Sequence, residues 1–405
     1  MATLTDPPRE AFRLSQLIYD TRYRSMTIQV IAFILIMSAL FWLANNTVQN
    51  LAALGKDFNF AFLSNRAGYD INQRLIEYSN DSTHGRAALV GILNTLLVAF
   101  VGCILATIFG VTAGVLRLSS NWIVARLMSV YVEGFRNIPT LLWILIVFAI
   151  MTEATPAPRE FRGDDATATM MLFDTVAVTN RGVYTPAPVF GEGSAILIAV
   201  FLASLVGIWA FRRYAKARQE ATGDILPVFW ISLGIFFIPS IIFYFILGRP
   251  VTLDYPELSG FNFSGGTHMR NSFIALTLAL ALYTGAFIAE NVRGGILAIS
   301  KGQTEAAYSL GITPGRTMQL VILPQALRVI IPPLISQYLN LTKNSSLAIA
   351  VGYMDVRSTL GGITINQTGR ELEGMLLLGV FYLITSLTIS GAMNIYNKSV
   401  KLKER

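Results

Sequence analysis

Cysteine and histidine are nearly missing from this chain. One cysteine, Cys103, and two histidines, His84 and His268, occur in 405 residues. A single thiol excludes an internal disulfide and a thiolate metal cluster. The two histidines sit at the polar edges of apolar runs, with no second His, Cys or HExxH-type partner nearby. No metal site and no catalytic residue set is therefore expected. Charge is scarce too: Asp, Glu, Lys and Arg make up 14% of the residues, against about a quarter in soluble domains. The net charge is +7, yet no basic block interleaves with aromatics, so nucleic acid is not an expected partner. No G-x-x-x-x-G-K-[ST] stretch occurs, which excludes ATP binding through a P-loop. No G-x-S-x-G occurs either, which argues against a membrane hydrolase of that type.

What the chain does have is apolar sequence, 53% of its residues. A helix needs about 20 apolar residues to cross a bilayer. Charge-free candidates are Ser25–Gly55, Ala87–Leu116, Asn137–Thr152, Gly193–Phe211, Ile225–Gly248, Asn271–Ala289 and Gly374–Asn397. Between Arg328 and Asp355 lies a broken stretch that carries Pro332-Pro333 and Lys343. Such interruptions are tolerated where they face protein or a wet cavity. Counting it predicts eight spans, an all-α polytopic membrane protein set in a lipid bilayer. The start, MATLTDPPREAFRLSQLIYDTRYR, mixes both charge signs and precedes a run too long for an h-region. A signal peptide is not expected there.

Loop charges predict the orientation. Arg9, Arg13, Arg22 and Arg24 precede the first span. The loop Arg117–Arg136, the short loop Arg212–Glu220, the loop with Arg293, Lys301, Arg316 and Arg328, and the tail with Lys398, Lys401, Lys403 and Arg405 are basic. The alternate connections are more acidic or neutral; residues 153–192 hold six acids and three arginines. Lysine and arginine are retained on the cytoplasmic side, so both termini are expected in the cytoplasm.

One cytoplasmic loop carries a motif, EAAYSLGITPGRTMQLVILPQ. Ser300 and Gln303 have the spacing of a capping box opening a helix through Glu305, Ala306 and Ala307. Gly311 suits the left-handed position that ends it. Thr313-Pro314 reads as the N-cap and first turn of a second helix. Pro324, after Leu323, is expected to end or kink that helix near the membrane. Ala306 and Ala307 permit close backbone approach, and Leu310 and Ile312 offer apolar anchors. A helix of this kind can seat in a groove on a partner.

The order Glu305-Ala306-Ala307, Gly311, Val321, Leu323, Pro324 resembles the EAA motif of bacterial ABC importer permeases, with Val321 where the pattern has Ile. Glu133–Leu142, Ala286–Ile299 and Pro324–Ala348 resemble permeases of the polar amino-acid uptake group (histidine, glutamate, glutamine, arginine and opine). The likeness covers about residues 88–152 and 272–397. The longer permeases of general L-amino-acid systems carry comparable extensions. It implies a type I ABC importer permease core with N-terminal and central extensions. The implied division is a cytoplasmic N-terminus 1–27, an extra first helix and periplasmic loop 28–87, the transmembrane domain 88–397, and a cytoplasmic tail 398–405. Within the domain lie an insertion with two helices at 153–271 and the EAA coupling loop at 291–328. The likeness also implies an inner-membrane location, an ATP-binding cassette ATPase dimer that holds ATP and Mg, a second permease subunit, and a periplasmic amino-acid-binding protein. The chain itself is expected to hold no cofactor and to be no enzyme.

For the substrate path, ionisable groups at membrane depth are the candidates. Lys343, Asn344, Ser345 and Ser346 offer donors to a carboxylate, or Lys343 snorkels. Glu290 offers an acceptor to an ammonium, or it sits at headgroup level beside Arg293. An ion-coupled secondary transporter is the alternative; it calls for intramembrane acids, of which the spans have almost none besides Glu290, and for a repeat between halves, which is not evident.

Overall fold

The computed structural model describes residues 16–53, 55, 57–163 and 166–400. The charges at positions 9, 13, 401, 403 and 405, most of the N-terminal segment and most of the tail lie outside the described residues. The chain divides into two compact units, 1–65 and 66–405. The first holds α1 (Gln16–Tyr19), the long apolar α2 (Thr21–Ala53) and one 3-10 turn at Ala61–Ser64.

The second unit is a helical bundle. It runs α3 (His84–Leu116), α4 (Trp122–Asn137) and α5 (Thr140–Glu153). Three strands follow, β1 (Ala177–Thr179), β2 (Gly182–Thr185) and β3 (Ala187–Phe190), then α6 (Ser194–Thr222) and α7 (Val228–Ile246). Four more strands, β4 (Val251–Asp254), β5 (Glu257–Ser259), β6 (Asn262–Ser264) and β7 (Thr267–Arg270), lead into α8 (Asn271–Leu297). Next come α9 (Lys301–Ser309), α10 (Pro314–Thr317), a π-turn at Met318–Ile322 and α11 (Leu323–Asn344). After a 3-10 stretch at Ser345–Val351, the short α12 (Val356–Ser358) and α13 (Ile365–Thr368) flank a second π-turn, and α14 (Glu371–Val400) completes the described residues. Among the described residues, eight helices are long and apolar enough to cross a membrane, which agrees with the sequence count.

The core lies between α3 and α8. Leu276, Leu280 and Ile288 of α8 are fully buried, as are Val98 and Ala106 of α3. Glycines allow this approach. A Cβ at Gly110 would lie 2.5 Å from Ile288 Cβ, and one at Gly114 would lie 2.7 Å from the Ala289 carbonyl. In a bilayer, where tails are as apolar as leucine, such backbone proximity is what lets two helices pack tightly.

Three expectations need correction. Arg212–Glu220, read as a short loop, continues α6 as its last turns; its Arg and Lys residues are good helix formers, and Lys216–Glu220 even pairs at i,i+4. The loop Arg117–Arg136 contains the amphipathic α4, N-capped by Asn121, whose Oδ1 accepts from Ile123 N at 3.0 Å. The described residues of 153–271 hold the two expected helices and, where only loop was expected, seven short strands. They form sheets of order β1-β2-β7, β3-β4 and β5-β6, all antiparallel. Strands of three or four residues carry too little alternation to be seen in a sequence.

Candidate coupling site and buried polar clusters

At the end of the bundle where α8 runs into α9, the motif loop builds a helix–turn–helix. The Ile312 N–H donates to the Ala307 carbonyl at 3.1 Å and the Gly311 N–H to that of Tyr308 at 2.9 Å. Gly311 has φ +72°. This is a Schellman ending, as the glycine implies. Nothing lies within 4 Å of where a Gly311 Cβ would be, so conformation alone selects glycine here.

The helix start differs from expectation. Ser300 is the N-cap by backbone, but its side chain makes no capping bond. Gln303 does not reach back either; its Oε1 accepts from Gln325 Nε2 at 3.5 Å. The capping box is given up for a link between the two helices of the loop. Thr313 likewise stands at the N-cap without a side-chain bond, and Pro314 opens α10. Pro324 neither ends nor breaks the helix. It sits in the first turn of α11, directly after the π-turn, where the Leu323 N–H donates to the Met318 carbonyl. A first-turn proline has no N–H to leave unpaired, and the wide π-turn re-registers the ladder before it.

The motif residues divide by exposure. Glu305 and Ala306 face out, whereas Ala307 is buried within the chain. Leu310 is 78% exposed at the turn and Leu320 is 68% exposed on the π-turn. Leu323 is exposed and Pro324 half-buried. The α9 helix packs against the π-turn and α10. The surface offered outward therefore includes an acid, a small residue and three leucines.

Behind this loop lies an ion-pair cluster. Arg117, just past α3, places Nη1 2.5 Å from Glu290 Oε2. Arg293, one turn on from Glu290, grips the same carboxylate. Arg136 of α4 stands 3.9 Å from it and over the Phe287 ring at 5.4 Å. Arg117 also reaches Glu133 at 3.8 Å. Glu290 thus ties α3, α4 and α8 together. In sequence, only Arg293 was visible as its neighbour; Arg117, Glu133 and Arg136 showed only as loop charge.

The Lys343–Ser346 run lies elsewhere. Lys343 is exposed in the last turn of α11, about 30 Å along that helix from Leu323. Asn344 and Ser346 are half-buried. Ser345 is fully buried, and its Oγ donates to the Thr342 carbonyl at 2.7 Å. The fold does not bring Glu290 and this run together.

A third cluster was not visible in sequence. It joins the first turns of α3 to the segment 353–359. Asn94 Nδ2 donates to the Met354 carbonyl at 2.9 Å, and Tyr353 OH donates to the Asn94 carbonyl at 3.1 Å. The Val356 N–H donates to Thr95 Oγ1 at 3.0 Å. Asp355 is fully buried; its Oδ1 accepts from the Ser358 N–H and Oγ, both at 2.8 Å, while Oδ2 has no partner. Burial pushes its carboxyl up to about 6 and raises the Tyr353 phenol above its ordinary range. The sequence signals were Asn94 and Thr95, polar residues within an apolar run that can join helices or line a path, and the polar composition of the segment after Gly352. His84 closes a neighbouring contact, with Nδ1 3.1 Å from Thr364 Oγ1.

Comparison with known proteins adds to the geometry. Residues 221–402 match the family described as "Binding-protein-dependent transport system inner membrane component". The glutamate/glutamine/aspartate/asparagine transport system permease protein of Rhodobacter capsulatus is 58% identical, covering 100% of both chains. The general L-amino acid transport system permease protein of Rhizobium johnstonii is 44% identical over 96% of this chain and 94% of that one. A crystal structure of an amino acid ABC transporter with histidines aligns with 78% of this chain and 95% of that chain, at 19% identity and a TM-score of 0.45.

Proposed function

Because the chain belongs to the inner-membrane permeases of amino-acid ABC importers, we propose that it carries polar L-amino acids inward, driven by a separate ATPase dimer docked on α9. The observation that carries this proposal is the exposed face of α9, with Glu305, Ala306 and Leu310 outward beside a rigid Schellman turn. Leu310 anchors in the partner's groove, Glu305 hydrogen-bonds or ion-pairs at its edge, and Gly311 holds the turn.

The coupling then follows from connectivity. ATP and Mg bind on the partner, whose closure displaces α9. The π-turn at Met318–Ile322 and the Gln303–Gln325 link pass that displacement into α11. The bundle rocks between two states, so two distant sites share one two-state element. Basic residues at this end agree with a cytoplasmic position for both termini and for the loop 291–328. Residues 28–87 add a first helix and a periplasmic loop, and 153–271 form an insertion in the 88–397 domain. A second permease subunit and a periplasmic amino-acid-binding protein complete the transporter. The relative of 58% identity is named for glutamate, glutamine, aspartate and asparagine, and these are the substrates to try first here. Lys343, Asn344, Ser345 and Ser346 are the candidate contacts for a substrate carboxylate. Glu290, held by arginines, acts in the coupling end.

The test is uptake into vesicles holding this chain, its sister subunit, ATPase and binding protein. Gly311→Trp should insert and assemble but neither transport nor respond to the loaded binding protein with ATP hydrolysis. Wild-type uptake by that variant would overturn the docking proposal.

A further inference from the structure

The hairpin of α6 and α7 stands apart from the rest of the bundle. Its two helices pack chiefly against each other, with Phe201 and Phe236 edge to face at 5.4 Å. Between them opens a cleft of about 590 Å³, lined by Leu197, Phe201, Phe237, Ile241, Phe245 and Val251 among others. That size lies within the range of about 300–1,000 Å³ seen for small-molecule sites. The lining is aliphatic and aromatic, with Tyr244 and Ser240 as its polar members. The Tyr244 hydroxyl is already used, donating to the Val251 carbonyl at 3.2 Å. A cleft of this character in spanning helices takes a hydrocarbon chain rather than water.

The rim carries charge of both signs. Arg249, three residues beyond α7, is exposed and held in the left-handed region at φ +60°. Its N–H donates to the Tyr244 carbonyl at 2.8 Å. Its guanidinium lies 5.8 Å from the centroid of Phe245, one of the lining rings. A non-glycine residue in that conformation is strained, and such strain persists where the surroundings hold it. Next to the lining residue Val251, the Gly191 N–H donates to the Pro250 carbonyl at 2.8 Å, and Glu192 follows, exposed in the turn before α6. A guanidinium is the favoured partner of a phosphate, and a carboxylate that of an ammonium.

We propose that the α6–α7 cleft is a specific phospholipid site for a phosphoethanolamine lipid, with one acyl chain between Phe201 and Ile241, the phosphate on Arg249 and the headgroup ammonium on Glu192. Bulk lipid covers any apolar helix face; this cleft adds an open apolar groove with Arg249 beside its lining ring Phe245 and Glu192 two residues beyond its lining residue Phe190. The site does not depend on which amino acids are transported or on how the ATPase docks.

The assembled transporter, reconstituted in nanodiscs of mixed phosphatidylethanolamine, phosphatidylglycerol and phosphatidylcholine and then washed in mild detergent, should retain phosphatidylethanolamine enriched about fivefold over bulk. Ile241→Trp, which fills the groove, should bring retention down to bulk. Arg249→Glu should abolish the enrichment, and Glu192→Lys should shift retention toward phosphatidylglycerol. Arg249 and Glu192 are exposed, so those variants decide the matter if Ile241→Trp fails to assemble. Retention at bulk level by the wild type, or an unchanged lipid profile in Arg249→Glu and Glu192→Lys, would overturn the proposal. A photo-crosslinker at position 241 that captures the sister subunit in place of lipid would do so as well.

Discussion

Arg117 and Glu290 form a close pair, Nη1 to Oε2 at 2.5 Å, between the end of α3 and the next-to-last turns of α8. The carboxylate is 29% exposed and the guanidinium side chain 11%, so the pair is shielded but not sealed from water. Two more arginines share the acid. Removing Glu290 therefore leaves three positive charges crowded together at the coupling end.

The first prediction concerns that crowding. Arg117→Ala and Glu290→Gln should each lower stability by about 1–3 kcal/mol, below the 3–5 kcal/mol typical of a fully buried pair. Glu290→Gln should be the worse of the two, because the arginines then repel. The thermal unfolding midpoints of wild type, both single variants and the double variant close a cycle. A double variant whose loss equals the sum of the singles would show that the two groups do not interact.

Gly311 gives the second. Its φ of +72° costs an L-residue about 1–2 kcal/mol, and the site is sterically open. Gly311→Asn should be tolerated best, Gly311→Ala less well and Gly311→Val least. Uptake rates should follow the same order, because a frayed turn releases the Ile312–Ala307 bond that ends α9. Equal rates for Asn and Val would mean that the turn is held by something other than its backbone.

The third prediction rests on the contact of α3 and α8. Alanine at Gly110 would set its Cβ 2.5 Å from Ile288 Cβ, so the helices must part. Overpacking of this kind costs about 1–3 kcal/mol. Gly110→Ala should lower the unfolding midpoint, and Ile288→Ala in the same chain should not restore it, because alanine keeps the Cβ that clashes and the Gly285 carbonyl lies 2.9 Å away. Gly134→Ala is the control, since nothing lies within 4 Å of that position.

Spans and turn were legible in the sequence because each follows from local rules. Apolar length sets a helix, and Gly311 four residues after Ala307 sets a Schellman ending. Features that depend on distant partners were not legible. Gln303 has the spacing of a capping box, but Gln325 lies beside it in the fold and takes its side chain. Pro324 reads as a helix end only when the π-turn before it is unknown. Glu290 looks like a lone intramembrane acid until α4 folds back and brings Arg136 and Glu133 alongside Arg117. Two strand pairings of the 153–271 insertion, β2–β7 and β3–β4, cross two spans, as Tyr184 does with His268, so no local pattern announces them.

Asp355 supplies the last prediction. It is enclosed, its Oδ2 is unpartnered, and burial raises its carboxyl to about 6. The Tyr353 and Tyr382 phenols and the Arg357 guanidinium are the titratable or charged groups that act on it, and no salt bridge neutralises it among the described residues. The folded protein thus holds this proton more tightly than the unfolded chain, where an aspartate titrates near about 3.9. Its contribution to stability is full below about pH 4, fades as pH rises and is lost above about pH 6, a span worth about 3 kcal/mol. Asp355→Asn keeps an oxygen to accept from the Ser358 N–H and removes the charge. The variant should be the more stable protein at pH 7.5, and its unfolding midpoint should stay nearly flat between pH 4.5 and 6.5 while that of the wild type falls. Should both proteins lose stability in parallel across that window, the titrating group lies elsewhere and the buried carboxylate is satisfied by a partner such as water.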